Sequence, residues 1–189
     1  MKKAALELSQ KTEAEKNAFL KRLATELKKY KTAIIDANRL DIKSARKHNL
    51  STAFLQRLTL DEKGIDDLVK KVMEMQRLDA GIGDIIEKKF VEGGLLLQKI
   101  RVPIGVIAIV YEARPEVTID VAALCVKSGN VAILKGGSEA MHTNKMLHKC
   151  ILKALKMTCF RKEAINFITS TDRKDVMKLL KRNDLVDLV

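Results

Sequence analysis

The sequence predicts an α/β protein with a Rossmann-like parallel sheet that carries helices on both faces. A helical segment and a β-hairpin arm precede this sheet. From Val106 onward, short apolar runs alternate with stretches of helical periodicity, as expected for strands buried on both faces. Residues 1–78 show helical periodicity alone, and a Gly-Gly pair separates two extended runs in residues 85–101. These three observations carry the prediction.

The composition permits a sizeable core and limits the classes of partner that the chain is expected to bind. Hydrophobic residues make up 47% of the 189 residues, and 36 Lys+Arg against 24 Asp+Glu give a net charge of +12. Such an excess suits nucleic acid, an anionic membrane or small anionic substrates. Because the lysines are spread over helical faces without interleaved aromatics, we expect a mostly solvated charge and no nucleic-acid partner. The absence of a membrane-length apolar run and of Cys-x-x-Cys spacing predicts a cytoplasmic protein with no membrane partner.

The helical segment contains recognisable start signals. Thr12 and Glu15 have the spacing of a capping box, in which the hydroxyl and the carboxylate each satisfy a free backbone N–H group. Ser51 is predicted to cap a short third helix, and Thr59 with Glu62 is predicted to form a second capping box before the fourth. The apolar residues behind the first box recur at helical spacing: Phe19, Leu20, Leu23, Ala24 and Leu27.

The hairpin follows this segment. Gly93 and Gly94 lie between extended runs whose polar alternation suits an exposed arm over residues 85–101. We therefore divide the chain into a helical part, residues 1–84, the arm, residues 85–101, and the sheet, residues 102–189.

The sheet region reads as β-α-β-α-β-α-β. Pro115 fits a first helical position, Gly129 a left-handed helix end, and Ser138 and Asp172 fit helix caps. The predicted strands are Val106–Tyr111, Val131–Leu134, Ala164–Ile168 and Leu185–Val189. The crossovers are expected to be right-handed and the sheet parallel, and ligands bind beyond the carboxyl ends of the strands in such sheets.

A first candidate loop lies at the end of the second strand. It consists of Lys135, Gly136, Gly137, Ser138 and Glu139. Glycines allow a ligand close to the backbone, the following helix offers free N–H groups, and the lysine adds a charge. The alternative is a tight strand-to-helix turn with a surface lysine, and the spacing alone does not decide between them.

A second candidate loop follows the first strand and carries Glu112 and Arg114. An arginine at this sheet end could hold a carboxylate or a phosphate through two hydrogen bonds. The alternative is a local Glu–Arg pair or a charge at the helix start.

The remaining reactive residue types give weaker signals. Cys125 and Cys150 lie within helices and Cys159 just after one, so all three are expected to be inert, packed thiols. His142 and His148 are six residues apart and cannot share a helical face as metal ligands. We therefore predict no metal site and no catalytic residue in this chain.

The segment Val102–Asn144 closely resembles the gamma-glutamyl phosphate reductase (glutamate-5-semialdehyde dehydrogenase) family of the aldehyde dehydrogenase superfamily. The resemblance rests on Tyr-Glu-Ala-Arg-Pro-x-Val-Thr, Lys-Ser-Gly-Asn and Lys-Gly-Gly-Ser-Glu, and it extends back through Glu15–Asn17, Ile34–Asn38 and Arg57-Leu58. It implies NADPH-dependent reduction of L-glutamyl 5-phosphate to L-glutamate 5-semialdehyde in proline biosynthesis, through a cysteine thioester and hydride transfer.

The resemblance also implies roles for the two loops. A lysine and a glutamate of the superfamily contact the adenosine ribose; Lys135 matches the lysine, whereas Glu139 lies one residue further along. A lysine beside Gly-Gly-Ser suits the 2′-phosphate of NADP. The superfamily's oxyanion-binding Asn falls near Ala113, which leaves Arg114 or a backbone N–H as its substitute, and Glu112 and Arg114 become substrate-binding candidates.

Family members continue beyond a strand like Leu185–Val189 into a catalytic domain with the nucleophilic cysteine. The resemblance therefore implies that this chain is the amino-terminal half of such an enzyme and is inactive alone. The arm resembles the family's oligomerisation arm, which implies a homo-oligomer. Two alternatives stay open: a nucleotide- or nucleic-acid-binding module, and a non-catalytic subunit of a split enzyme.

Overall fold

The computed structural model describes residues 1–170, 172 and 174–189. Five helices form the first part: α1 (Lys2–Ser9), α2 (Glu13–Lys29), α3 (Lys31–Lys47), α4 (Thr52–Leu58) and α5 (Glu62–Met75). The capping box at α2 is confirmed, because the Thr12 hydroxyl accepts from the Glu15 N–H while the Glu15 carboxylate accepts from the Thr12 N–H. Ser51 caps α4 as predicted, accepting from the Phe54 N–H.

The second predicted capping box is wrong. Asp61 is the residue that caps α5, and its carboxylate accepts a 2.8 Å hydrogen bond from the Gly64 N–H. Thr59 ends α4 instead, and its hydroxyl donates to the Leu55 carbonyl at 2.7 Å. The hydroxyl is therefore already engaged with the preceding helix.

The hairpin arm is present. Strands β1 (Ile85–Phe90) and β2 (Leu96–Ile100) pair antiparallel, and Gly93 and Gly94 turn the chain with positive φ angles of 87° and 76°. Every residue of both strands is exposed. The arm thus projects from the rest of the chain.

The parallel sheet has the predicted order of elements. It comprises β3 (Val106–Val110), α6 (Pro115–Lys127), β4 (Val131–Lys135), α7 (Met141–Met157), β5 (Ile165–Phe167) and α8 (Lys174–Leu180). β4 is central and pairs parallel with β3 and β5. On the other side of β3, Leu188 forms a parallel bridge with Ile107. The α/β fold class is confirmed, with the chain crossing back past its first strand as in doubly wound sheets.

Element boundaries agree in part with the prediction. Pro115 occupies the first turn of α6, and Gly129 follows that helix with φ of 74°, as predicted. The fourth strand is reduced to the single bridge at Leu188. Ser138 does not cap α7 but begins a 3-10 turn, Ser138–Ala140, with no side-chain capping bond. At α8 the Asp172 carboxylate accepts from the Lys174 N–H at 2.8 Å.

One continuous core joins the helical part to the sheet. Helix α2 packs against α5, α6 and α7, and α1 contacts β4. The largest fully buried side chains come from both parts: Phe19, Leu20, Leu23, Leu27, Ile34, Leu58, Ile65, Leu68, Ile119, Leu134, Leu147 and Ile151. No helix of the described residues has the length and apolarity needed to cross a membrane.

Candidate functional site

The two predicted loops meet at one edge of the sheet. Val110 pairs with Lys135 in the strand register, and the Tyr111 N–H donates to the Lys135 carbonyl at 3.1 Å. The backbone N of Ala113 lies 3.7 Å from the position a Cβ would take on Gly137. Parallel pairing therefore brings the segments 111–114 and 135–139, far apart in sequence, into direct contact.

We call the contact between segments 111–114 and 135–139 the corner. Lys135 is buried beneath the corner and does not face an open crevice. Its exposed fraction is 6%, and its ammonium donates to the Gly136 carbonyl at 3.2 Å. Within the described part of the chain it forms no ion pair. A single carbonyl uses one of three ammonium protons, so two remain for a ligand oxygen. The open approach to Lys135 that the sequence suggested is therefore absent.

The two glycines of the corner differ in their surroundings. A Cβ on Gly136 would clash with the Asn144 amide and lie 3.2 Å from the Tyr111 ring. Close packing within the protein therefore requires glycine at position 136. Gly137 is half-buried, and a Cβ there would lie 2.7 Å from a Glu139 carboxylate oxygen.

Ser138 and Glu139 are exposed on the outer side of the corner. They precede α7, whose first N–H groups are satisfied from another helix. The buried Asp41 carboxylate of α3 accepts from the N–H groups of His142 and Thr143 at 3.1 and 2.8 Å. Asp41 thus fixes the start of α7, and with it the direction in which the corner leaves the sheet.

A series of side-chain hydrogen bonds lies beneath the corner, and the sequence analysis did not predict it. The Tyr111 hydroxyl lies 2.6 Å from the Thr118 hydroxyl, which donates to the Asn144 amide oxygen at 2.8 Å. Burial raises the pKa of Tyr111 to about 12, so the phenol stays protonated. The buried Asn144 Nδ2 has no partner within the described residues. In the sequence, only the eight-residue separation of Asn144 from Gly136 could have indicated that the Asn144 side chain lies against that glycine.

Glu112 and Arg114 lie beside a cavity of about 290 Å³ at the same sheet edge. Both side chains are exposed and neither forms an ion pair in the described part of the chain, so the expected alternative of a local Glu–Arg pair is not seen. Arg57 of α4, which sequence reasoning did not select, lines the same cavity 5.8 Å from the Phe54 ring. Two guanidinium groups therefore border one cavity.

Cys125 and Cys150 are packed thiols as predicted, whereas the prediction that Cys159 is packed is wrong. Burial raises the pKa of Cys125 to about 11 and that of Cys150 to about 12, so both are neutral thiols at physiological pH. Cys159 is exposed on the turn after α7. Among the residues that the structure describes, no three His, Cys, Asp or Glu side chains are grouped to hold a metal ion.

Solved structures define the class of protein. A probable aldehyde dehydrogenase from Listeria monocytogenes superposes with a TM-score of 0.72 at 16% identity, covering 98% of this chain and 38% of that chain. Gamma-glutamyl phosphate reductase from Thermotoga maritima superposes with a TM-score of 0.94 at 35% identity, covering 98% of this chain and 45% of that chain. The chain therefore has the aldehyde dehydrogenase fold.

Sequence similarity narrows this class. The gamma-glutamyl phosphate reductase of Sulfurihydrogenibium sp. (strain YO3AOP1) is 43% identical over 187 residues, which are 99% of this chain and 42% of the relative. That of Histophilus somni (strain 2336) is 41% identical over 188 residues, or 100% and 45%. No protein-family model matches the sequence. Within the aldehyde dehydrogenase fold, the chain is homologous to the amino-terminal half of gamma-glutamyl phosphate reductases.

The chain spans less than half the length of the curated relatives it matches. The contact between the two loops, the buried lysine and the two arginines that line the cavity all lie in the part shared with these relatives.

Proposed function

We propose that this chain supplies the nicotinamide-cofactor-binding part of a gamma-glutamyl phosphate reductase, the enzyme that reduces L-glutamyl 5-phosphate to L-glutamate 5-semialdehyde with NADPH in proline biosynthesis. The observation that carries this proposal is the direct contact of segments 111–114 and 135–139 at the carboxyl edge of a parallel sheet, with an ammonium that has a single acceptor. The proposed reaction is taken from gamma-glutamyl phosphate reductases that are 40% identical to this chain.

The corner residues would hold NADP from the protein side. The Glu139 carboxylate is exposed and can accept from a ribose hydroxyl, and the Ser138 hydroxyl can donate to a phosphate oxygen. Lys135 offers its two unused protons to an acceptor at the corner. The cofactor supplies hydride when bound, and the Tyr111 N–H holds the Lys135 carbonyl in place.

The cavity next to this corner suits the substrate. L-glutamyl 5-phosphate is an anion, and Arg57 and Arg114 present donors without carboxylate partners in the described part of the chain. Arg114 or the Ala113 N–H would take the place of the Asn that holds the oxyanion in the superfamily. We place the protein in the cytoplasm, where proline is made.

Binding of NADPH, followed by its fluorescence, tests the cofactor site. Lys135→Met should weaken binding about tenfold, because one charge-assisted hydrogen bond is lost. Lys145→Met removes an equal charge from an exposed position on α7 and should leave the affinity unchanged. NAD serves as the competitor that reveals selection for the 2′-phosphate.

Two results would count against the proposal. One is NADPH binding that is absent from the wild-type chain or equal in K135M and K145M. The other is reduction of glutamyl phosphate by this chain unaided, because Cys125 and Cys150 are protonated and no nucleophile is assigned here.

A further inference from the structure

A second cavity lies at the opposite edge of the sheet. Its volume is about 560 Å³, and it is bordered by the junction of α1 and α2 and by the segment that follows α5. Its lining residues are Ser9, Lys11, Glu13, Lys16, Asn17, Gln76, Arg77, Leu78, Asp79, Ala80, Gly81 and Ile82. Because Gly129, just before β4, adjoins Lys16, this cavity lies near the amino end of the strand that ends at Lys135.

Lys127 forms one side of this region and is fully satisfied. Its side chain is buried, and its ammonium donates to Glu13, to the Asn17 amide oxygen at 2.9 Å and to the Gln76 carbonyl at 3.0 Å. All three ammonium protons therefore have acceptors. The nearby carboxylate of Glu13 is therefore already ion-paired with Lys127.

Lys16 is the opposite case. It is 3% exposed, and its ammonium has neither an ion-pair nor a hydrogen-bond partner within the described residues. Burial lowers the pKa of Lys16, the charge of Glu13 partly opposes this effect, and the charge of Lys127 adds to it. The Lys16 Nζ is not among the fully buried atoms that lack a partner, so it is open to the cavity, and an anion there would give this largely buried side chain the charge partner that it lacks.

The charges that line the cavity leave room for such an anion. Three cations, Lys11, Lys16 and Arg77, line it together with two carboxylates, and Lys11 already pairs with Glu15 at 2.7 Å. Glu13 binds Lys127, and Asp79 accepts from the Gly81 N–H at 2.8 Å. Arg77 is exposed and has no ion pair among the described residues.

We propose that this cavity binds a small oxyanion, a phosphate or a carboxylate, held by the Lys16 ammonium and the Arg77 guanidinium. The site stands apart from the corner at Lys135, since the two lie at opposite ends of the five-residue strand β4, about 13 Å apart at the usual rise of a strand. The proposal therefore holds or fails independently of cofactor binding.

Isothermal titration of the 189-residue chain with sodium phosphate, and separately with sodium acetate, tests the site at constant ionic strength set by chloride. Wild-type protein should bind at least one of the two saturably, and the melting temperature should rise with it. Lys16→Met should weaken this affinity about tenfold or more, and Arg77→Gln severalfold. Lys21→Met, at an exposed position of the same helix, should retain the wild-type affinity.

A stability measurement without oxyanions adds an independent readout. K16M should be at least as stable as the wild type, because it removes a charge that partial burial disfavours and that has no partner among the described residues. The proposal is overturned if neither anion binds the wild type saturably, or if K16M and K21M bind equally. Should K16M fail to fold, R77Q decides, since its exposed position tolerates substitution and an undiminished affinity would refute the site.

Discussion

Three buried lysines show how strongly the surroundings of one residue type vary in this chain. Lys127 has three acceptors, Lys135 has one carbonyl, and Lys16 has no partner in the part that the structure describes. The scatter of lysine over helical faces predicts mostly solvated side chains, and these three residues depart from that prediction. Burial of an ammonium costs free energy, so the incompletely paired ones mark positions where a ligand would be stabilising.

His148 offers a residue-scale test of a buried titratable group. It lies half-buried on α7, its Nε2 is 3.2 Å from the Ile165 carbonyl, and its ring packs 5.7 Å from the Phe167 ring. Burial lowers the pKa of His148, and the hydrogen bond to Ile165 only partly opposes this effect. The unfolded chain therefore takes up this proton at a higher pH than the folded chain does.

The sign of the resulting pH dependence follows. Stability is fully present above the ordinary histidine pKa of about 6.5 and is lost as the pH falls through the lower pKa of the folded state. Urea unfolding at pH 7.5 and 5.5 should show a smaller loss for His148→Gln than for wild type. His48→Gln, which changes an exposed histidine, should follow the wild type. Parallel behaviour of all three proteins would disprove the assignment.

At the scale of elements, the anchoring of α7 to α3 is the contact that fixes the candidate corner. Besides the two backbone N–H groups, the Asp41 carboxylate accepts from the Thr143 hydroxyl at 2.6 Å and lies 2.7 Å from the His142 ring. Asn38 of the same helix donates to the Leu58 carbonyl and to the Thr143 hydroxyl. α3 thereby supplies both the helix cap and the surrounding polar contacts.

Removing this cap should destabilise the whole chain. Asp41→Ala leaves two helix N–H groups unpaired in a buried place, which should lower the free energy of unfolding by about 2 kcal/mol. Asp36→Ala on the same helix removes an exposed carboxylate and should change it by less than about 0.5 kcal/mol. Chemical denaturation measures both, and equal losses in the two variants would rule out a special role for Asp41.

The elements that sequence predicted well are those whose signals are local. The Thr12 box, Pro115 and Gly129 depend on neighbours within one helical turn, and each was placed correctly. Ser138 was wrongly expected to cap α7, because the true cap comes from Asp41, 101 residues away in sequence. A cap from another helix leaves no trace in local spacing.

The same limit applies to the candidate site. Parallel pairing of two predicted strands was enough to place the two loops together. Burial of Lys135, the contact of Asn144 with Gly136 and the position of Arg57 depend on how helices pack, which periodicity does not specify. The expected reaction came from the family resemblance, whereas the contacts of Lys135, Asn144 and Arg57 were visible only in the structure.

At the scale of the whole molecule, the arm is the feature least explained by the chain alone. A two-stranded hairpin is at best marginally stable in water and becomes stable when it pairs or packs further. β1 and β2 pair only with each other in the described structure, and both are exposed throughout. The arm exposes a row of large apolar side chains: Ile85, Ile86, Phe90, Val91, Leu95, Leu96, Leu97 and Ile100.

We therefore predict that the arm mediates self-association, because an exposed strand edge with exposed apolar side chains beside it favours pairing with a second chain. The double variant Phe90→Lys with Leu95→Lys changes side chains that are 77% and 69% exposed, so the core should be unaffected. Sedimentation velocity over a concentration series should show association of the wild type and a shift to monomer in the double variant, with unchanged circular dichroism. Met157→Lys, on an exposed apolar position of α7, should associate as the wild type does. A wild type that stays monomeric, or a double variant that associates equally, would show that the apolar row has no such role, since added charge on an interface opposes association directly.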